Sequence, residues 1–589
     1  MFNDYVEALP NHKGDRTVGF SGPTGGDVSA DPYAGQTAGN GKPIWSAQQA
    51  ADNLSRAGVD WTFGNNGALD DGILTYGFWT EEEVENSYYL EDGATKILAD
   101  SFYIQAQKFA AFTPEQQAMA TANLQLWDDL IAVTFQKAAS PAEADITFGF
   151  VQMSPAAGAH AYYPQEEAFD AYYGTEDLGK TGGDVWANYL YQDSFSGANA
   201  QIGAYGWFAI THELGHSLGL AHGGDYNASD DNDGDGQPDP ITYEGDAYFF
   251  QDSQQYTIMS YFDGFYTGQS AVSWAAADTF FVMAQTPQVH DILSVQQIYG
   301  ADMTTRAGNT VYGFNSTADR AVFDFTVNKT PVLTIWDAGG RDTLDLSGFN
   351  ANNVIDINEG AFSSAGYKID AASKAYFGAA FGLETEEDFA DFYAANGLGP
   401  DGRPVDNIAI AYGAKIENAT GGSGNDTLIG NSLSNVLTGN AGNDRFIGGD
   451  KTDVFVLGAG NDTVVGEIQS KVATKVGKLS LDIVKDFNLS GDDTIDLSGL
   501  DANTKVRGDQ AFTFTGTGGA NGAGQISYTT YANIAAAEKA LNYDIDGVAG
   551  VGSVSGPVTV VFGNVDGGTA DFGLILLGTS GVTASDFIF

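Results

Sequence analysis

Residues 421–465 divide without remainder into five nine-residue units, GGSGNDTLI, GNSLSNVLT, GNAGNDRFI, GGDKTDVFV and LGAGNDTVV. A period of nine fits a chain that turns over six residues and extends over three, laying down one short strand per unit with one apolar side chain facing inward. That residue is Leu428, then Val436 or Leu437 according to register, then Phe446, Phe455 and Val464. Units two apart then stack on the same side, which gathers 421–426, 439–444 and 457–462 into one column where each turn ends Gly-Asn-Asp. Gly421, Gly424, Gly439 and Gly442 permit left-handed turn geometry, while Asp426, Asp444 and Asp462 converge with turn carbonyls as ligands for a hard cation. A pair of calcium ions fits that column. In the opposite column Asn435 stands in for a carboxylate across from Asp453 and Lys451 adds a cation, so calcium there should be weak or missing.

Charge limits the partners. The chain has 589 residues with 77 Asp+Glu against 25 Lys+Arg, a net charge of −52, and no basic stripe opposes that field, so nucleic acid is excluded. There is no Cys, which removes disulfides, Cys-ligated zinc and thiol catalysis. Residues 1–20 lack the apolar core of a secretory signal, and no run approaches the roughly 18 apolar residues of a membrane span. Export therefore needs another signal.

The chain is long enough for at least two domains. Residues 1–40 are rich in Gly, Asp, Ser and Pro without periodicity, as in an arm or removable leader. Helical spacing over 47–57 and 114–134 and strand-like runs at 73–78 and 144–150 make 41–300 a unit of mixed helices and strands. Beyond it, short apolar stretches broken by Gly, Asn and Asp dominate 301–500. An insertion at about 365–408 interrupts them, where 371–396 has the pattern of an acidic surface helix. Residues 501–589 form a further β region.

The chemistry is concentrated in HELGHSLGLAH, residues 212–222. On a helix His212 and His216 share one face and reach the same metal, Gly219 lets the backbone turn, and His222 swings back as third ligand, leaving a position open for water. Glu213 is placed to act on that water as general base, which is the logic of metal-assisted amide hydrolysis. A calcium-dependent surface-binding protein with a disarmed protease site is the alternative; retention of Glu213 with all three histidines argues against it. A peptidase restricted to one partner also stays open. His160 and His290 read as structural, and His12 lies in the leader.

The triple-histidine motif and the downstream Tyr256-Thr-Ile-Met259-Ser-Tyr261 resemble those of metzincins of the serralysin type, and the nonapeptide run resembles the RTX calcium-binding β-roll. NGKP at 40–43, GDVW at 183–186, GDYN at 224–227 and HDILSVQQIYGAD at 290–302 extend the likeness over about 40–589. The resemblance implies an α+β metzincin catalytic domain followed by an all-β parallel β-roll/β-sandwich domain. It also implies a secreted zinc endopeptidase stabilised by calcium. Met259 then packs beneath the histidines, and Tyr261 serves as an additional zinc ligand that also stabilises the tetrahedral intermediate. Arg306, Gly308, Thr310, Asp337, Gly339 and Asp342 match the family's first calcium site, and Glu417 another ligand, although Lys415 replaces a usual Thr. Val185, Trp186, Ala187 and Asn188 are expected to form the edge strand that aligns substrate. The C-terminal Asp586-Phe-Ile-Phe589 resembles the uncleaved signal of type I export from Gram-negative bacteria.

Protein or peptide substrates, the type I secretion machinery and a periplasmic proteinaceous inhibitor are the partners so implied, with the protein a monomer. Two features depart from the family pattern: Gly223 where Pro is usual, and an enlarged 228–245 segment. Its Asp231-Asn-Asp233-Gly-Asp235-Gly236 start resembles an EF-hand loop without the closing Glu.

Overall fold

A computed structural model describes residues 34–61, 72–83, 108–164, 182–228, 238–273, 281–467, 481–518, 522–568 and 570–589. The EF-hand-like Asp231, Asp233 and Asp235 and residues 1–33 of the leader lie outside the described residues.

The first part of the chain builds a six-stranded sheet from β1 (Ile73–Phe78), β2 (Phe109–Ala110), β3 (Thr134–Lys137), β4 (Ile146–Val151), β5 (Ala159–Ala161) and β6 (Val185–Asn188). The order is β3-β1-β4-β6-β5 with β2 on β4, and only β2 and β5 run antiparallel to their partners. β4 is buried along its whole length, as the centre of a sheet covered on both faces requires. Helices α1 (Ala47–Leu54) and α2 (Pro114–Asp128) each begin on a capping box, Ser46 with Gln49 and Thr113 with Gln116, with Pro114 at the first helical position. Helix α3 (Tyr205–Ser217) is apolar nearly all round and almost wholly buried, while α4 (Val289–Tyr299) lies against α1.

Two helical readings shift. The 114–134 helix stops at Asp128, whose carboxylate accepts the Phe135 N–H at 2.9 Å, and Thr134 opens β3 instead. The 371–396 pattern is two helices, α5 (Ala371–Phe381) and α6 (Glu386–Ala395). Gly382 ends α5 in the left-handed region at φ 71°, and Thr385 with Asp388 caps α6. Val272 packs with Phe377, Phe389, Tyr393 and Leu398, so this hairpin leans on the segment that follows Tyr261.

From residue 311 short strands build two parallel sheets, between which the chain alternates strictly over 418–496, while Leu333–Ile335, Phe362–Ser363 and Ile408–Ile410 form a separate three-stranded sheet. One stacks Val354–Asp356, Thr427–Ile429, Arg445–Ile447, Thr463–Val465, Thr494–Asp496 and Phe587–Ile588. The other stacks Val311–Gly313, Thr343–Asp345, Asn418–Thr420, Val436–Thr438, Val454–Val456 and Asp482–Val484. It then continues through Phe572–Leu577 and the antiparallel Val558–Asn564 and Gln525–Tyr531. Leu428, Leu437, Phe446, Phe455 and Val464 are buried, so the register puts Leu437 inside and leaves Val436 half-buried. Asp129, at the end of α2, accepts from Arg306 and from Arg320, each at 2.7 Å, joining the first sheet's helix to the first turns of the coil.

Candidate active site

Helix α3 carries His212, Glu213 and His216 on successive turns, and its packing fixes them. Trp127 donates to the Thr211 carbonyl at 3.2 Å, and a Cβ at Gly215 would collide with the Met259 sulfur, which places Met259 against the helix directly beneath its histidines. Gly219 takes φ 99° at the helix exit, where any Cβ would strike the Val59 carbonyl, and the chain returns His222 to the other two.

Each imidazole is held through Nδ1. His212 donates to the Ile258 carbonyl at 2.8 Å, His216 to Leu220 at 2.7 Å and His222 to Tyr226 at 2.8 Å. Those bonds put the proton on Nδ1 and leave the three Nε2 atoms as bare acceptors. The Nε2 of His222 lies 3.2 Å from that of His212 and 3.0 Å from that of His216. Lone pairs cannot bond one another. Their spacing is close to the edge, about 3.3 Å, of a tetrahedron with zinc–nitrogen bonds of about 2.0–2.1 Å, so the donor set fits zinc. Burial keeps the rings neutral, with His212 pushed down to about 4 and His216 and His222 well below their ordinary value. Glu213 is buried beside them, and desolvation raises its carboxyl to about 8.

The Tyr261 ring sits 4.5 Å from His222 and 5.7 Å from His212, backed by Tyr226 at 5.2 Å. Three supports were not legible as single residues. Asp291 accepts from Thr257 Oγ1 and the Ile258 N–H, both at 2.6 Å, and so aims the carbonyl that orients His212. Buried Asp252 accepts from the Tyr226 hydroxyl at 2.9 Å, and the Tyr226 ring stacks on His222 at 5.2 Å. The Asp252 carboxylate also fills the space a Cβ at Gly223 would need, which accounts for glycine at that position in this chain. Asp291 could have been sought in the HDILSVQQIYGAD segment, whereas nothing local marks Asp252.

The expected substrate strand needs correction. Val185, Trp186, Ala187 and Asn188 are all buried, and β6 is enclosed between β4 and β5. Asn188 spends its side chain on the Ser154 and Ala157 carbonyls. The sheet's edge on this side is β5, too short and too small in its side chains, Ala159-His160-Ala161, to stand out as a strand. His160 lies half-buried on that edge, and His290 is fully buried, its ring against Tyr256, with burial pushing it down to about 3.

The coil gathers carboxylates. Asp337, Asp342 and Glu417 cluster: Asp342 Oδ1 accepts from the Thr310 N–H at 2.7 Å, Glu417 accepts from the Asp342 N–H at 2.8 Å, and Asp337 accepts from Gly339 at 2.7 Å. The Arg306 side chain is committed to Asp129, and the Thr310 hydroxyl donates to the Gly308 carbonyl at 3.0 Å. In the first column Asp426, Asp444 and Asp462 each accept on Oδ1, and the backbone N–H of Asp426 reaches Asp444, that of Asp444 reaches Asp462, and that of Asp462 reaches Asp493. Gly421 and Gly439 approach Asp426 and Asp444 too closely for a Cβ, and Gly424 and Gly442 abut the backbone of the neighbouring turn. The Oδ2 atoms of Asp342, Asp444, Asp453 and Asp462 are buried without a partner. Hard, ionisable oxygens left over in glycine turns fit calcium. The second column holds more acid than its repeats suggest, because Asp482 and Glu467 face Asp453 from outside the five units. Asp493 was findable from Gly491-Asp-Asp493-Thr, which repeats the Gly-Asn-Asp-Thr of the units.

Comparison with known proteins bears on both parts. The matrixin family model matches residues 96–229, and the model described as Peptidase M10 serralysin C terminal matches 301–378 and 398–554, passing over α6. Metalloprotease AprA of Pseudomonas entomophila (strain L48) is 36% identical over 400 residues, 68% of this chain and 66% of that protein. Serralysin G of Dickeya chrysanthemi is 34% identical over 406 residues, 67% of this chain and 68% of that protein. Serralysin of Photorhabdus luminescens is 37% identical over 332 residues, 56% of this chain and 55% of that protein. With a matrixin region that carries the converging histidines and a serralysin C-terminal region that carries the coil, the chain belongs to the serralysin family of metalloproteases.

Proposed function

We propose that the chain is a secreted zinc-dependent endopeptidase that cleaves peptide bonds in proteins, with its coil a calcium-loaded β-roll. One observation carries the catalytic part: three imidazoles whose Nδ1 protons are all committed to carbonyls, so that three Nε2 lone pairs converge on one point. His212, His216 and His222 would hold zinc, which supplies a Lewis acid that polarises a carbonyl and acidifies water. Glu213, next in sequence to His212, takes a proton from the attacking water on its carboxylate and delivers it to the leaving amine. Tyr261 offers its phenol to the developing oxyanion. The free edge of β5 receives the substrate backbone as an added strand.

On this reading residues 41–300 are the peptidase unit, 301–500 the roll and 501–589 a β region bearing the signal for type I export to the exterior of a Gram-negative cell. Asp337, Asp342, Glu417, Asp426, Asp444, Asp453 and Asp462 hold calcium. In calcium-poor cytoplasm their mutual repulsion keeps the roll unfolded until export. No helix among the described residues is long and apolar enough to cross a membrane.

The test is casein cleavage and zinc analysis of calcium-refolded protein beside Glu213→Ala. Cleavage that tracks stoichiometric zinc and disappears in the variant supports the reading. A well-folded chain that binds no zinc overturns it.

A further inference from the structure

Among the described residues strand β5 pairs with β6 through one edge only. The Asn188 N–H donates to the Gly158 carbonyl at 2.9 Å, the Tyr162 N–H to Asp184 at 3.0 Å and the Gly183 N–H to Tyr162 at 3.1 Å. Gly158, His160 and Tyr162 therefore turn their backbone groups inward. By the two-residue period of a strand, Ala159 and Ala161 turn theirs toward the open edge. The same period divides the side chains. The His160 and Tyr162 rings meet on one face, 4.9 Å apart, and Tyr162 packs with Trp79 and Trp186. Ala159 and Ala161 lie on the other face, against the core that contains α3.

Tyr163 continues that second face just past the strand. Its ring stands edge-on to His216 with centroids 5.7 Å apart, and the residue keeps 37% of its surface exposed. Two methyl groups precede it along the edge. Among the described residues Tyr163 is thus the large side chain that this edge directs toward the zinc helix, against His216, while the Tyr261 ring lies against His212 and His222.

The geometry points to Tyr163 as a specificity-determining residue, an aromatic wall for the substrate side chain that lies beside His216. This rests on the peptidase reading and on strand addition at β5. In an antiparallel pair the substrate residue opposite Tyr163 sits two positions before the one opposite Ala161, with its side chain on the same face. A flat, partly exposed ring there favours an aromatic or large aliphatic side chain over a small or charged one, because it offers apolar area and edge-to-face contact while giving a charge no partner.

The experiment is cleavage of a peptide library, varied one position at a time, by wild type, Tyr163→Ala and Tyr163→Phe, with zinc content measured on each. The expected result is confined to one substrate position: Tyr163→Ala lowers kcat/KM about tenfold for peptides with a large apolar residue there and leaves those with alanine unchanged, while Tyr163→Phe keeps the wild-type preference. An unchanged profile in Tyr163→Ala overturns the inference. So does a uniform loss at all positions, or loss of zinc, since either marks a structural role. Failure of the wild type to cleave any peptide while holding zinc overturns the peptidase reading and this inference with it.

Discussion

The zinc cleft and the turns of the coil both gather metal-binding side chains, and they do so by opposite means. In the cleft, Nδ1 of each histidine is tied to a carbonyl from its own neighbourhood, Ile258, Leu220 or Tyr226, and the rings are neutral inside a packed core around α3. In the coil, buried carboxylates stack on one another with Oδ2 atoms unpartnered, and burial together with neighbouring carboxylates pushes Asp444 up to about 7 and Asp453 up to about 9. The cleft is an assembled structure awaiting a reagent. The turns carry an electrostatic cost that a bound cation would cancel.

The widest separation between the two should come from removing each metal in turn. A calcium-selective chelator is expected to abolish the β-signal of the coil in circular dichroism, since each site held at a hundredfold over its dissociation constant contributes about 2.7 kcal/mol and several act together. Zinc withdrawal should stop cleavage and leave the spectrum as it was. A coil that keeps its spectrum without calcium would break the comparison.

Next in size is the chemical step. Glu213→Gln keeps the shape of α3 and removes the base, so kcat should fall by about 100- to 10,000-fold with zinc content and melting temperature unchanged. Single-turnover kinetics on a peptide would check it. A comparable fall in zinc content would make Glu213 a structural part of the site instead.

The difference between the regions also explains what the sequence could reveal. The coil was legible because one residue type at one spacing does the same work in every turn: Leu428, Leu437, Phe446, Phe455 and Val464 all point inward, and Asp426, Asp444 and Asp462 all stack. What escaped were acids that join a column from outside the period, Asp482 and Glu467. In the cleft, His212, His216 and His222 were legible because a helix fixes the spacing of the first two and the Gly219 turn returns the third. Asp252 was not, because it reaches His222 only through Tyr226, a contact made by folding. The substrate edge was misplaced for the same reason. β6 has the apolar pattern of a strand and therefore lies inside the sheet, whereas β5 carries two alanines that a free edge tolerates and a sequence pattern does not show.

A smaller effect is expected where the regions meet. Asp129 is nearly buried, with 7% of its side chain exposed, and binds Arg306 and Arg320 together. Asp129→Ala leaves Arg306, itself 10% exposed, without its carboxylate. Removing one partner of such a buried pair costs about 3 kcal/mol. Calorimetry should show one transition become two, with the catalytic part and the coil melting apart. A single transition at the wild-type temperature would mean that packing, not the ion pair, joins them.

The smallest effect, and the one that reports most directly on the coil, is its pH dependence without calcium. Burial raises Asp426 to about 6, and burial with neighbouring carboxylates raises Asp462 to about 6 and Asp444 to about 7. An unfolded chain has these groups near 4. Between those values the folded coil binds protons that the unfolded chain has released, so stability falls as pH rises. Calcium-free protein should therefore hold its coil best near pH 4, where the carboxylates are protonated, and have lost it by pH 8. Saturating calcium reverses the sign, because the ion requires ionised carboxylates and protons compete with it, so stability then falls as pH drops below about 6. The histidine cleft has no such crossing, since burial, not calcium in the coil, sets the state of its rings. Melting curves from pH 4 to 9 with and without calcium would show the crossing, and parallel curves would mean that the carboxylates of the turns are paired by something other than the ion.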